Sequence, residues 1–373
     1  MRVTYFSKSS DVGPSSRYRI HQYLPYLAAA GIDCAVRPLW TPTYFALLNI
    51  AYAPVRNLLR AAYAVIRFLR RGLDLCLMGK PDLVVVEGQL FPYCPAWVEQ
   101  VLAWMGRKLV VEFDDAIYLT RCHQQKMPRL LRRASAAIVG NRTLAAYAHQ
   151  YASTVQVVPT VVDTTRFAPR QRSAEKAKGD KTRSPTIVWI GLAYNFSYLE
   201  VLIPALRRVR QECGAVFRVI SSRPPSLPGV EVEFMPWDLS TEVAHLQDCD
   251  IGVMPLPDTE WARGKCGLKL LQYLAVGLPA VASPVGVNRE IITSGVNGLL
   301  AMTSDEWSDH LSRLCREAEL RERFGRAGRR TVEEQYALTL WGPRLAQTYL
   351  TLAGRPGTHI IGQPDTSLQR RCA

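Results

Sequence analysis

Short stretches without polar alternation recur between helix-patterned segments along most of this chain. Residues 83–86 (LVVV) lead into Glu87-Gly88, residues 108–113 (KLVVEF) lead into Asp114-Asp115, and another such strand falls at 136–139. The plan restarts at 186–191 (TIVWIG) and continues through 216–221, 230–236 and 250–256. A strand that is apolar along its length must be covered on both faces, and helical crossovers between parallel strands supply that cover. The expected fold is therefore α/β, with two doubly wound, Rossmann-like sheets; 373 residues suffice for two cores. Ligands of such sheets gather at the carboxyl ends of the strands, and the central cleft between two sheets is the natural site. Glu87, Asp114 and Asp115 occupy such ends. Two adjacent carboxylates can orient a hydroxyl or accept its proton; the ordinary alternative is that Asp115 caps a helix or pairs with Arg121.

The stretch that carries most chemistry is 264–289, GKCGLKLLQYLAVGLPAVASPVGVNR. Gly264 and Gly267 bracket Lys265 and Cys266 where a helix should start, because Leu268, Leu271 and Ala275 recur at helical spacing before Gly277 and Pro279 stop it. The first amides of a helix lack internal partners and sit at the positive end of its dipole, so a diphosphate fits there. Lys265 and Lys269 are four apart, and on one helical face two ammonium groups repel unless something negative lies between them. A short buried strand at 281–283 leads into the loop 284–288, where Gly286 and Asn288 let backbone approach a ligand. An ordinary crossover with two solvated lysines has the same spacing.

This stretch, with its GLPAVAS strand, resembles the donor-site segment of glycosyltransferase family 4, enzymes of the two-domain GT-B architecture. The resemblance covers nearly the whole chain except the tail. It implies a nucleotide-sugar donor on the C-terminal domain, an acceptor on the N-terminal domain and retention of anomeric configuration. It also implies no cofactor and no metal ion, the nucleotide sugar being a substrate. Lys265 and Lys269 would then carry leaving-group charge, with Asp114 and Asp115 on the acceptor side of the reaction centre. Gly264, Cys266, Gly267, Gln272 and Asn288 would line the donor, and 235–237, including Trp237, would hold the nucleobase. The family's usual pair of glutamates falls on Gly264 and Gln272. Gln272 can still bond a ribose hydroxyl, less strongly than a carboxylate does, but Gly264 replaces no side-chain contact. The loop after 186–191, LAYNFSY, lacks the basic residue common at that place, which shifts the diphosphate's charge onto Lys265 and Lys269.

The first loop, after a strand at 2–6, contains Gly13 and ends in Ser15 or Ser16 as a helix cap. Arg17 and Arg19 follow in the first turns, where cations oppose the helix dipole unless an anion lies between them. By position Gly13, Ser16, Arg17 and Arg19 match the family's cleft-facing loop; the alternative is that the arginines pair with Asp11 or solvent. Residues 43–71 form a helical pattern broken by Pro54, apolar through Leu58, Leu59, Val65, Ile66 and Leu69 and basic through Arg56, Arg60, Arg67, Arg70 and Arg71. No acidic residue occurs from 34 to 73. Such a helix suits a membrane interface, where anionic lipid attracts each arginine by roughly 1 kcal/mol. A core-packed helix pair with a solvated basic face fits equally well.

The net charge of +14 suits anionic membranes, phosphate-bearing substrates or nucleic acid. Basic residues are dispersed over both halves and no nucleic-acid motif occurs, so nucleic acid is not an expected partner. Nine cysteines without C-x-x-C spacing indicate neither a metal site nor a disulfide scaffold and fit a cytoplasmic setting. No stretch is apolar enough to span a membrane, so the expected location is cytoplasmic or peripheral on the inner face of the cell membrane. The domain plan is 1–168, a basic linker or surface loop at 169–185, a donor domain at 186–335, a terminal helix at 336–353 crossing back onto the first domain, and a disordered tail at 354–373. The expected function is transfer of a sugar to a lipid-linked or saccharide acceptor in cell-surface polysaccharide or glycolipid assembly. The rival is a catalytically inactive GT-B homologue that serves as a binding or scaffold subunit.

Overall fold

Alternation within the apolar strands decides the layering. A computed structural model describes residues 1–48, 50–92, 94–96, 99, 101–102, 106–121, 123–169 and 184–355. Most of the expected linker and tail lies outside the described residues. The N-terminal sheet holds β1 (Arg2–Ser9), β2 (Asp33–Trp40), β3 (Leu83–Glu87), β4 (Leu109–Phe113), β5 (Ala136–Val139) and β6 (Val155–Val157), in the order β2-β1-β3-β4-β5-β6. Every neighbouring pair is parallel. Leu83 and Val85 pack into one buried cluster while Val84 and Val86 pack into another on the opposite face, as the period of two requires.

The second sheet holds β7 (Thr186–Ile190), β8 (Val216–Ser221), β9 (Val232–Pro236), β10 (Ile251–Met254), β11 (Ala280–Ala282) and β12 (Gly298–Leu300). Its order is β12-β11-β10-β7-β8-β9, again all parallel. Val188 and Ile190 face one core and Ile187 and Trp189 the other. In each sheet the chain reverses its direction of growth beside the first strand, between β1 and β3 and between β7 and β10. Crevices open at such switch points, at the carboxyl ends of the strands.

The terminal helix Leu338–Ala353 leaves the second domain and packs on the first. Leu345, Ala346 and Tyr349 share a core with Val3 and Tyr5, and the Tyr5 and Tyr349 hydroxyls bond at 3.0 Å. Gly342 is required there, since a Cβ would lie 2.3 Å from the ring of Tyr26 on α2 (Leu24–Ala29).

Two sequence expectations are corrected by packing. Strand β4 is not wholly apolar in effect, because Glu112 is buried in its middle and must be neutralised. Arg19, the last residue of α1 (Pro14–Arg19), does this: its Nε donates to Glu112 and its Nη1 to the Val158 carbonyl at 2.8 Å. Arg19 is therefore a core residue and not a cleft-facing one. Burial raises the Glu112 pKa, and the Arg19 charge beside it opposes that shift.

The second correction concerns α3 (Pro42–Leu48) and α4 (Ala53–Cys76), with Pro54 in the first turn of α4 and no helix between them at 50–52. All of the α4 arginines but Arg70 face the protein. Arg56 donates to the Ile50 carbonyl, Arg60 to the Tyr44 hydroxyl and Arg67 to the Pro38 and Leu39 carbonyls, while Arg71 is buried and donates to the Ser7 carbonyl. The exposed face is apolar, so neither an arginine-led membrane contact nor a solvated basic face describes this helix.

Replacing Arg19 with Met should lower the unfolding free energy by about 3–5 kcal/mol in denaturant titration, because Glu112 is left buried without a cation. Adding Glu112→Gln should recover much of that loss.

Candidate active site

A four-residue turn, 264–267, joins the short helix Glu260–Arg263 to the helix Leu268–Ala275 and lies against the N-terminal domain. The second helix begins at Leu268, later than the spacing implies, because Gly267 takes φ +72 and ends the turn. A side chain at Gly267 would also meet Ile291 at 2.4 Å. Lys265 thus belongs to the turn and Lys269 to the first turn of the helix, whose leading amides have no intrahelical partner.

Both lysines reach the same place. The Lys265 ammonium sits 3.0 Å from Asp115 Oδ1 across the cleft and over the ring of Trp261. Lys269 passes Gly191 at the carboxyl end of β7, where any Cβ would lie 2.6 Å from its Cε, and its ammonium stands 5.3 Å from the centre of the Trp189 ring. Burial lowers the Lys269 pKa, the Lys265 charge lowers it further, and Asp115 opposes them; the result is about 8. Burial also acts to lower the Lys265 pKa, but its contact with Asp115 outweighs this and leaves it raised. Two partly desolvated ammonium groups at one place repel each other, and a multivalent anion between them would relieve that repulsion.

Carboxylates line the other wall. Ser15 Oγ donates either to Glu87, at 2.8 Å, or to Asp114, at 3.0 Å. Glu87 also accepts from Ser16 Oγ at 2.6 Å and from the Lys8 amide at 2.8 Å. Burial raises the Glu87 pKa against these bonds. The structure therefore brings Asp114, Asp115, Lys265 and Lys269 to one site, with Ser16 buried behind it as a support for Glu87.

Other residues singled out from sequence have structural partners. Gly13 caps α1 without a side chain because Ser9 Oγ would lie 1.9 Å from a Cβ there. Arg17 donates to the Asp11 and Val12 carbonyls, lies over the Trp237 ring at 5.0 Å and is 3.9 Å from Glu242. It pins the first loop to the second domain, and burial lowers its pKa. Trp237 is half-buried and donates through Nε1 to Glu242 at 2.8 Å. Gln272 donates to the Tyr18 hydroxyl at 3.0 Å, so its amide nitrogen is engaged by α1. Asn288 is buried and donates to the Ser283 carbonyl, its Oδ1 having no hydrogen-bond partner. Gly286 admits the Arg263 backbone, whose carbonyl would lie 2.6 Å from a Cβ, where the sequence pattern implies a ligand.

Gly264 has the most restrictive setting. A Cβ there would lie 2.7 Å from the Ala116 Cβ and 3.0 Å from its amide nitrogen, so the turn contacts the N-terminal domain backbone to backbone. Cys266 donates its thiol to the Asp114 carbonyl at 3.1 Å and fills the space left by Gly140. Burial raises its pKa strongly, which makes it an inert thiol. Sequence reasoning missed one residue here. Asn141 caps a helix, its Oδ1 accepting from the Leu144 amide, and its Nδ2 also donates to the Gly264 and Lys265 carbonyls at 2.9 and 3.1 Å. Nothing local in the sequence signals that second bond.

Residues 184–317 match the family model described as glycosyl transferases group 1. A D-inositol 3-phosphate glycosyltransferase of Nocardia farcinica is 25% identical over 200 residues, a match that covers 48% of this chain and 43% of that protein. This chain thus matches less than half the length of that relative. Among solved structures, sucrose-phosphate synthase from Thermosynechococcus elongatus superposes with a TM-score of 0.67 at 14% identity, covering 95% of this chain and 99% of that one. Anabaena HepE in complex with UDP and glucose superposes with a TM-score of 0.68 at 13% identity, covering 94% of this chain and all 100% of that one. The fold is GT-B, and the segment that matches the group 1 model, 184–317, falls within its second domain.

Asn141→Asp keeps the cap but sets a carboxylate against two carbonyls. It should destabilise the protein by about 1–2 kcal/mol in thermal unfolding. Lys269 predicts a pH effect on any bound anion. An anion holds the ammonium protonated, so affinity should be greatest below about 8 and fall as pH rises past it. Calorimetric titration with a nucleoside diphosphate at neutral and alkaline pH should show this decline, and Lys269→Arg should flatten it.

Proposed function

We propose that the protein is a nucleotide-sugar-dependent glycosyltransferase whose C-terminal domain holds the donor and whose N-terminal domain holds the acceptor. The observation that carries this reading is the convergence of Lys265 and Lys269 at the carboxyl end of β7, opposite Asp114 and Asp115. As the glycosidic bond to the donor breaks, negative charge develops on the departing diphosphate. Two ammonium groups and the leading amides of the helix Leu268–Ala275 would stabilise it. The donor diphosphate would take Lys265 away from Asp115. That exchange would free a carboxylate to orient the acceptor hydroxyl and to receive its proton.

Retention of anomeric configuration and independence from metal ions belong to the same reading. So do a lipid-linked or saccharide acceptor in cell-surface polysaccharide or glycolipid assembly, a cytoplasmic location and an anionic membrane surface as partner. Uridine conjugates are the first donors to try, since HepE is held with UDP and glucose and, in a second structure, with UDP-glucose.

A second reading, an inactive homologue acting as a binding or scaffold subunit, is favoured by two facts. Gly264 is closed off by Ala116, and Gln272 is bonded to Tyr18, so neither presents a carboxylate to a donor sugar.

A thermal-shift panel of UDP, GDP and their sugar conjugates separates the two readings. Stabilisation by nucleotides of one base, lost in Lys265→Ala, supports the transferase. Absence of any shift supports the inactive subunit. Turnover of an identified donor should fall by about two to three orders of magnitude in Lys265→Ala, the usual cost of removing one group that stabilises developing charge.

A further inference from the structure

Of the large apolar side chains exposed among the described residues, most lie between Leu48 and Leu77. Helix α4 is 24 residues long, about 36 Å at the usual rise per residue. Along its outer face Val55, Leu58, Leu59, Ala62, Val65, Ile66, Leu69, Leu73 and Leu77 succeed one another at helical spacing. Leu58 is 70% exposed, Ile66 62% and Leu69 67%, values that leave these side chains in water in the free protein. Only Asn57 and Arg70 interrupt the exposed face with polar groups. Continuous apolar area on this scale marks a contact surface.

The rim charge selects what covers it. Arg56, Arg60 and Arg67 are half-buried with their guanidinium groups turned toward the protein, and Arg70 is exposed. The one acid of the helix, Asp74, is buried and paired with Arg37 and Arg70. A second copy of this chain would bring another exposed Arg70 to this face and supply no free acid in return. No helix of the described residues is long and apolar enough to cross a membrane. A helix with hydrocarbon on one face, an exposed cation (Arg70) beside it and no free acid suits the interface of an anionic leaflet.

We infer that the outer face of α4 inserts into the hydrocarbon margin of an anionic bilayer, with Leu58, Ile66 and Leu69 at its centre and Arg70 at headgroup level. The insertion is apolar first and electrostatic second, the reverse of what the arginine count in the sequence implies. The helix belongs to the N-terminal domain, so docking would place the acceptor side of the cleft beside the membrane. Only this last consequence rests on the transferase reading.

The test is co-sedimentation of the full chain with phosphatidylcholine vesicles containing about a third phosphatidylglycerol, at about 0.15 M and about 1 M salt. Wild-type protein should bind at both. The triple substitution Leu58→Glu, Ile66→Glu, Leu69→Glu should weaken binding at least about tenfold, and Arg70→Gln by no more than about threefold. Absence of wild-type binding, its loss at high salt, or unchanged binding by the triple variant would overturn the inference. Sedimentation equilibrium adds a further overturning outcome: a wild-type dimer that becomes monomeric in the triple variant, with no vesicle binding in either, assigns the face to a second copy. The nucleotide thermal shift, read in parallel, should be the same in wild type and triple variant. Its absence from both would concern the transferase reading alone.

Discussion

Two ammonium groups share a partly desolvated pocket at the switch point of the second sheet, and the nearest compensating charge belongs to the other domain. That arrangement is electrostatically costly in isolation, since like charges repel more strongly where water is thinned out. It persists because the turn 264–267 is fixed by contacts that leave the lysines no other direction. Asn141 holds the Gly264 and Lys265 carbonyls, Cys266 bonds the Asp114 carbonyl, and Gly264 lies directly on Ala116. Burial, and after it the Lys265 charge, lowers the Lys269 pKa, while Lys265 is tied to Asp115. An anion of higher charge is the ligand that such a site discriminates for.

The domains are joined by small polar contacts around this point and by a larger apolar closure away from it. Tyr18 of α1 is buried in the core of the second domain, where its hydroxyl meets Gln272. Arg17 and Glu242 close the same side through Trp237. On the far side the crossing chains pair, the Val162 amide donating to the Tyr336 carbonyl and the Leu338 amide to the Val162 carbonyl. These contacts hold the turn of one domain within reach of the acids of the other, and the chemistry needs that reach.

The strands and the positions of Glu87, Asp114 and Asp115 were legible because a period of two and a run of branched apolar residues are local properties. The pairing of Lys265 and Lys269 was legible as spacing, although the helix start was displaced by the positive φ of Gly267. Partners distant in sequence were not legible. Arg19 is 93 residues from Glu112, Asn141 is 123 from Gly264, and nothing along the chain announces either bond. The helix α4 failed differently: its composition was read correctly, but which face turns outward depends on where carbonyls of β2 and its neighbours stand ready to receive the arginines. The absence of a side chain at 264 gains a physical reason only from the position of Ala116.

The most direct test is a crystal structure of the protein with a nucleoside diphosphate bound. The diphosphate should lie between the Lys265 and Lys269 ammonium groups, within hydrogen-bond distance of both, with Lys265 released from Asp115. A diphosphate bound elsewhere, with Lys265 still on Asp115, would contradict the account.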